Sequence, residues 1–178
     1  MGFQTEYTMA PDISRLGLVD GVGPTEKVTG YGDTVIPFGR VVVYGGAKDK
    51  VRLPASATDI ADTNSESRPV VGVVLAQQDM ENQPENTLGV SGANVPAYPA
   101  TRPFSVMRKG RVTVWCEQAV TPLDQVFVRF TANGGNVQGN VRKDADGTTA
   151  TAALLKGVRF ADPITGPGLV ILEINLPA

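Results

Sequence analysis

The chain has 178 residues, with 16 Lys plus Arg against 18 Asp plus Glu, no histidine and one cysteine, Cys116. Those counts exclude histidine-dependent nucleophilic catalysis, imidazole metal ligation, an intrachain disulfide and a thiolate zinc site. A net charge of −2 supplies no basic field for non-specific nucleic-acid binding.

The start, MGFQTEYTMA, has no basic stretch followed by an apolar one, so no secretory signal is expected there. Gly2 lacks the Ser or Thr at position 6 that myristoylation wants, because that residue is Glu6. No run of 18 apolar residues exists, so no membrane span is expected. Residues 1–33 carry glycines and no strand pattern, and they are expected to form an extended N-terminal arm. Its apolar anchors would be Phe3, Tyr7, Met9 and Ile13. Such an arm can add a strand to a neighbour's open sheet edge, or staple onto its own domain.

From residue 34 to 178 the pattern is that of a β domain. Val occurs 24 times and Thr 16 times, against 11 Leu, and β-branched residues favour strands. Residues 40–44 (RVVVY) read as a strand ended by Gly45-Gly46. Residues 69–76 (PVVGVVLA) are apolar on both faces and read as a central strand. The segment 77–103, with Pro84, Pro96, Pro99 and Pro103, reads as a long loop inserted in the domain. Residues 104–108 and 111–116 flank Lys109-Gly110 and are expected to form a hairpin. In 125–131, Val126, Val128 and Phe130 share one face. Residues 148–156 (TTATAALLK) are the one expected helix. Residues 157–161 and 168–176 read as closing strands. Short strands separated by turn signals predict an all-β fold, a small β-barrel or a jelly-roll-like sandwich.

The search for chemistry finds little. Gly17, Gly21 and Gly23 lack the Gly-Lys-Ser/Thr of a phosphate loop. Asp144, Asp146 and Gly147 lack the spacing and the closing Glu of a calcium loop, and read as a polar turn. The carboxylates Asp79, Glu81 and Glu85 lie in a polar loop and read as solvated surface. Cys116, with no histidine to activate it, reads as a core or interface thiol. Arg102, Arg108, Lys109 and Arg111 form the densest basic cluster, near Phe104 and Trp115. It suits an acidic protein surface as well as nucleic acid. No catalytic residue, metal site or cofactor is expected, so a structural or binding role is.

The strand segments carry a resemblance. The run Ile36-Pro37-Phe38-Gly39-Arg40-Val41-Val42-Val43, then Val51-Arg52-Leu53-Pro54 and Val71-Gly72-Val73-Val74, resembles the structural cement proteins of tailed-phage heads. Residues 106–130 and the ending at Gly157–Phe160 and Leu169–Glu173 are similar to later blocks of that family. The chain departs where the family has a Gly-Asp turn, since it reads Pro122-Leu123-Asp124. The resemblance spans residues 34–176. It implies a β-barrel or jelly-roll-like capsid decoration protein, made in the host cytoplasm, that binds the outer surface of the virion head. Its partners would be the major capsid protein and itself, as a homodimer or homotrimer, with no nucleic acid, no membrane, no cofactor and no catalysis. Three other roles share the composition: a tail or baseplate module, a small-ligand or carbohydrate-binding β domain, and a trimeric jelly-roll nucleotide hydrolase. The third lacks the phosphate-binding motif it needs, and the second has only Trp115 and four Tyr to offer a groove.

Overall fold

The computed structural model describes residues 16–21, 23–47, 49–60, 70–76, 87–90, 93–100, 102–147 and 150–176, with backbone only at 87–90 and 93–96. The expected anchors Phe3, Tyr7, Met9 and Ile13 therefore lie outside the described residues. Fourteen strands are described, and no α-helix: β1 (Val19–Asp20), β2 (Glu26–Gly32), β3 (Ile36–Pro37), β4 (Val41–Tyr44), β5 (Lys50–Arg52), β6 (Val70–Val74), β7 (Thr87–Val90), β8 (Ala93–Tyr98), β9 (Pro103–Cys116), β10 (Phe127–Arg129), β11 (Val141–Arg142), β12 (Ala152–Leu154), β13 (Val158–Phe160) and β14 (Gly168–Asn175).

Eleven of these strands form one mixed sheet, and β3, β8 and β7 form a second of three strands. The path β12-β10-β11-β9-β2-β5-β4-β6 turns back on itself, because β6 pairs with both β4 and β9. The whole is not a closed barrel. The fold is all-β, as expected, and of the two expected architectures the sandwich-like one fits.

Strand β9 organises the molecule. Its first half pairs with β2 through Tyr31↔Pro103 to Glu26↔Lys109. Its second half pairs with β14 from Lys109↔Asn175 to Cys116↔Gly168. Alternation then splits the apolar residues between two cores. Phe104 and Val106 join Ile36, Phe38, Val42 and Tyr98 in the smaller one. Met107, Val112, Val114 and Cys116 join Val41, Val43, Val128, Phe160 and Leu172 in the larger. Strand β6, expected to be central, is buried throughout and supplies both. It crosses β9 so closely that a Cβ at Gly72 (φ +152°) would overlap the carbonyl oxygen of Met107. Only glycine fits there.

Four expectations are corrected. Lys109-Gly110 is no hairpin turn: β9 runs straight through it for 14 residues. A two-residue hairpin turn of type I′ needs φ > 0 at both positions, and of the two only Gly110 has it, at +130°. The register skips Arg108, with Lys27 opposite Met107 and Glu26 opposite Lys109, so the strand carries a β-bulge there, and Gly110 pairs in regular register with Ile174.

Within the expected helix over 148–156, Ala152–Leu154 form strand β12, paired with β10. It is bounded by Gly147 and Gly157, both at positive φ, and is too short to repay helix nucleation.

Of the expected arm, residues 26–32 are a sheet strand, and Val19–Asp20 pairs with β9. The inward positions of β2 are Val28, Gly30 and Gly32, and Cβ atoms on those glycines would press on Val51 and Ile36 side chains. An inward face made of glycine leaves no apolar alternation to read.

Within the expected loop 77–103, β8 pairs with β3 and β7. Tyr98 is buried there between Phe38 and Phe104, each 4.8 Å away ring to ring.

Candidate functional site

A partner-binding protein is expected to present rigid, incompletely satisfied features to solvent. The end of the molecule beyond the second half of β9 carries several, above a buried charge cluster.

The cluster forms where β9 ends. Arg129 of β10 donates from Nε and Nη2 to the two carboxylate oxygens of Glu117, at 2.6 and 2.7 Å. The Arg129 side chain is 1% exposed and the Glu117 side chain 2%. Arg142 reaches Glu117 Oε2 at 3.3 Å, Asp144 Oδ1 at 2.6 Å and Asp146 Oδ1 at 2.7 Å. Thr151 Oγ1 accepts from Arg129 and donates to Asp146. Each buried charge thus has a partner and further hydrogen bonds, which is what its desolvation demands. The hydrogen bond from Thr151, with that from Arg129, holds Asp146 well below the usual carboxylate range. A hydrogen bond from Gln118 lowers Asp144. These aspartates take arginines as partners, so the 144–147 segment is the expected polar turn. Burial pushes the Cys116 thiol up to about 11, which makes it inert at neutral pH.

Arg40 is the exception. It is 1% exposed, and none of its three guanidinium nitrogens has a hydrogen-bond partner among the described residues. Burial lowers it to about 10, against the pull of Glu117. The side-chain amide of Asn140 is equally buried and has no partner among the described residues.

Above the cluster stands a finger, residues 117–126. Its base is fixed by Val120 and Val126, both in the larger core. Val120 and Ile164 exchange backbone hydrogen bonds of 3.0 and 2.9 Å. Its tip is closed by Asp124, whose Oδ2 accepts from Thr121 N–H at 2.7 Å and from Thr121 Oγ1 at 3.1 Å. Asp124 N–H donates back to Thr121 O at 3.1 Å, and Pro122 fixes its own φ. The tip residue, Leu123, is 95% exposed.

Pro122 also borders a cleft of about 650 Å³ floored by β9, β13 and β14. Three of the cleft's charges, Arg111 of β9, Glu173 of β14 and Arg159 of β13, belong to a ladder across the strands that Asp20 of β1 completes outside the cleft. Arg111 pairs with Asp20 at 3.0 Å, and Arg159 holds Glu173 at 2.8 Å. Lys109, at the cleft's edge, forms no ion pair among the described residues.

The expected basic cluster is thereby divided. Arg111 is bound in the ladder, Lys109 faces the cleft, and Arg102 lies in the exposed turn before β9. Asp79, Glu81 and Glu85 lie outside the described residues. Sequence reading missed the burial of Arg40 and Arg129 and the exposure of Leu123. The Thr-Pro-Leu-Asp run held a signal for the last, since an Asp three residues after Thr closes such a turn.

Among the described residues no group of acidic or cysteine side chains could hold a metal, and no helix is long and apolar enough to cross a membrane. A model of the family described as Structural cement protein (E217 gp24/Pam3 gp6) matches residues 3–175. The fold is similar to that of a solved chain from "The capsid of Myoviridae Phage XM1", with a TM-score of 0.64, 16% identity and 98% of each chain covered. No curated protein matches the sequence.

Proposed function

The chain belongs to the structural cement protein family, and we propose that it binds the outer surface of a phage head and stabilises contacts between major capsid protein subunits. The family match over nearly the whole chain carries this reading. Rigid exposed features suit a protein that works by binding. Its inert thiol and paired aspartates suit a role without catalysis or cofactor.

The physics of the role is linkage. A protein that prefers the closed lattice to the open one stabilises it in proportion to that preference. Many copies of a modest contact, repeated over a symmetric shell, then act together. The protein would act at protein seams outside the shell, as a homo-oligomer with the major capsid protein as partner, consistent with its near-neutral charge. The test is to mix purified protein with mature shells that lack it. Co-sedimentation and a raised temperature of shell disruption are expected. Failure to co-sediment at any ratio contradicts the reading.

A further inference from the structure

We propose that Leu123 is the anchor by which the protein grips the capsid subunit, with the cationic cleft beside it as the polar rim of the same contact. The inference rests on the cement reading and deepens it, by naming the face that docks and the chemistry it meets.

Single exposed apolar residues are ordinary. Leu123 differs in how it is held. The chain runs out of the larger core at Val120, turns over four residues and re-enters it at Val126. The base is locked by the Val120–Ile164 pair of hydrogen bonds, and the tip by three hydrogen bonds between Thr121 and Asp124. A turn so constrained has little freedom left to lose on binding, so an apolar side chain at its apex contributes its burial nearly undiminished. The other described exposed large hydrophobics, Tyr31, Val35 and Tyr44, are 38–47% exposed, against 95% for Leu123.

The neighbouring cleft says what the socket's surroundings are. Pro122, next to Leu123, is part of its wall. Its charged lining is Lys109, Arg111, Arg159 and Glu173, a cationic excess. Arg111 and Arg159 are engaged by carboxylates of this chain, whereas the Lys109 ammonium has none among the described residues. An apolar socket flanked by acidic side chains is the complementary surface, a buried apolar centre with a polar rim.

The experiment measures binding of wild type, Leu123→Asp, Leu123→Met, Asp124→Ala and Lys109→Glu to mature shells lacking the protein. Thermal unfolding of each free variant accompanies it. Leu123→Asp is expected to weaken binding at least tenfold with unchanged thermal unfolding, and Leu123→Met to retain it. Asp124→Ala, which frees the turn but keeps the leucine, is expected to weaken binding less than Leu123→Asp. Lys109→Glu is expected to weaken binding and to blunt its dependence on salt. If wild type binds and Leu123→Asp binds equally well, the anchor is overturned while the cement reading stands. If Leu123→Asp leaves shell binding intact but lowers the oligomeric state in solution, the finger meets a second copy and the capsid assignment is overturned. If wild type does not bind, the cement reading falls and takes the anchor with it.

Discussion

The two halves of β9 differ in burial, the second being the more enclosed, and they are held by different means. Around the first half, the smaller core is closed by shape. Phe38, Tyr98 and Phe104 stack in sequence, β6 presses its Gly72 against Met107, and the Tyr98 hydroxyl donates to Leu75 O at 2.9 Å. Around the end of the second half, Arg40, Arg129, Arg142 and Glu117 are drawn out of water, the more exposed Asp144 and Asp146 pair with the arginines, and all but Arg40 have a partner among the described residues. Shape gives the first region one arrangement. Charge pairing gives it to the second, where every removed partner leaves another stranded. The finger that carries Leu123 grows from the second region, so the exposed feature stands on the part of the fold where local rearrangement is most costly.

The comparison can be broken at its strongest point first. Arg129→Met removes the two-pronged partner of buried Glu117 and leaves it only the 3.3 Å contact with Arg142, and a loss of about 3–5 kcal/mol is expected from denaturant unfolding. Phe104→Ala removes one end of the aromatic stack and is expected to cost a similar ~3–5 kcal/mol, through a cavity instead of a charge. Next comes Tyr98→Phe, which leaves the Leu75 carbonyl without its buried donor and is expected to cost about 1–3 kcal/mol.

The pH dependence follows from the aspartates. Asp144 and Asp146 ionise more readily folded than unfolded. Their contribution is therefore fully present above the ordinary carboxylate range, near pH 4, and is lost as pH falls through their lower folded values. Thermal scans should show stability declining below about pH 4. With no histidine, no step from histidine should appear between pH 5 and 8. The smallest effect is expected at Arg40→Met. An unpaired buried cation is exchanged for an apolar side chain of similar length, so stability should hold or rise. A large loss there would show that Arg40 has a partner in solution.

Strand positions followed from alternation wherever large apolar residues marked the inward face, as at Val41–Val43, Val126 and Val128, and Leu169–Ile174. Reading failed where that signal was absent. Strand β2 turns glycines inward. The residues of β12 look helical by propensity but are held as a strand by pairing with β10. Gly110 looks like a turn and lies in regular register inside a 14-residue strand. The family was legible in the order of strand motifs. The exposed face was not, because exposure and the pairing of Glu117 with Arg129 twelve residues away are tertiary facts. Only the Thr121-to-Asp124 spacing was local enough to read.

The most direct test of the cement role is the disruption temperature of mature shells, measured with and without bound protein at saturating occupancy. The role predicts that occupied shells open at a higher temperature, and that the gain disappears when the protein is stripped and returns when it is added back. Shells that bind the protein fully and open at the same temperature as bare ones would contradict it.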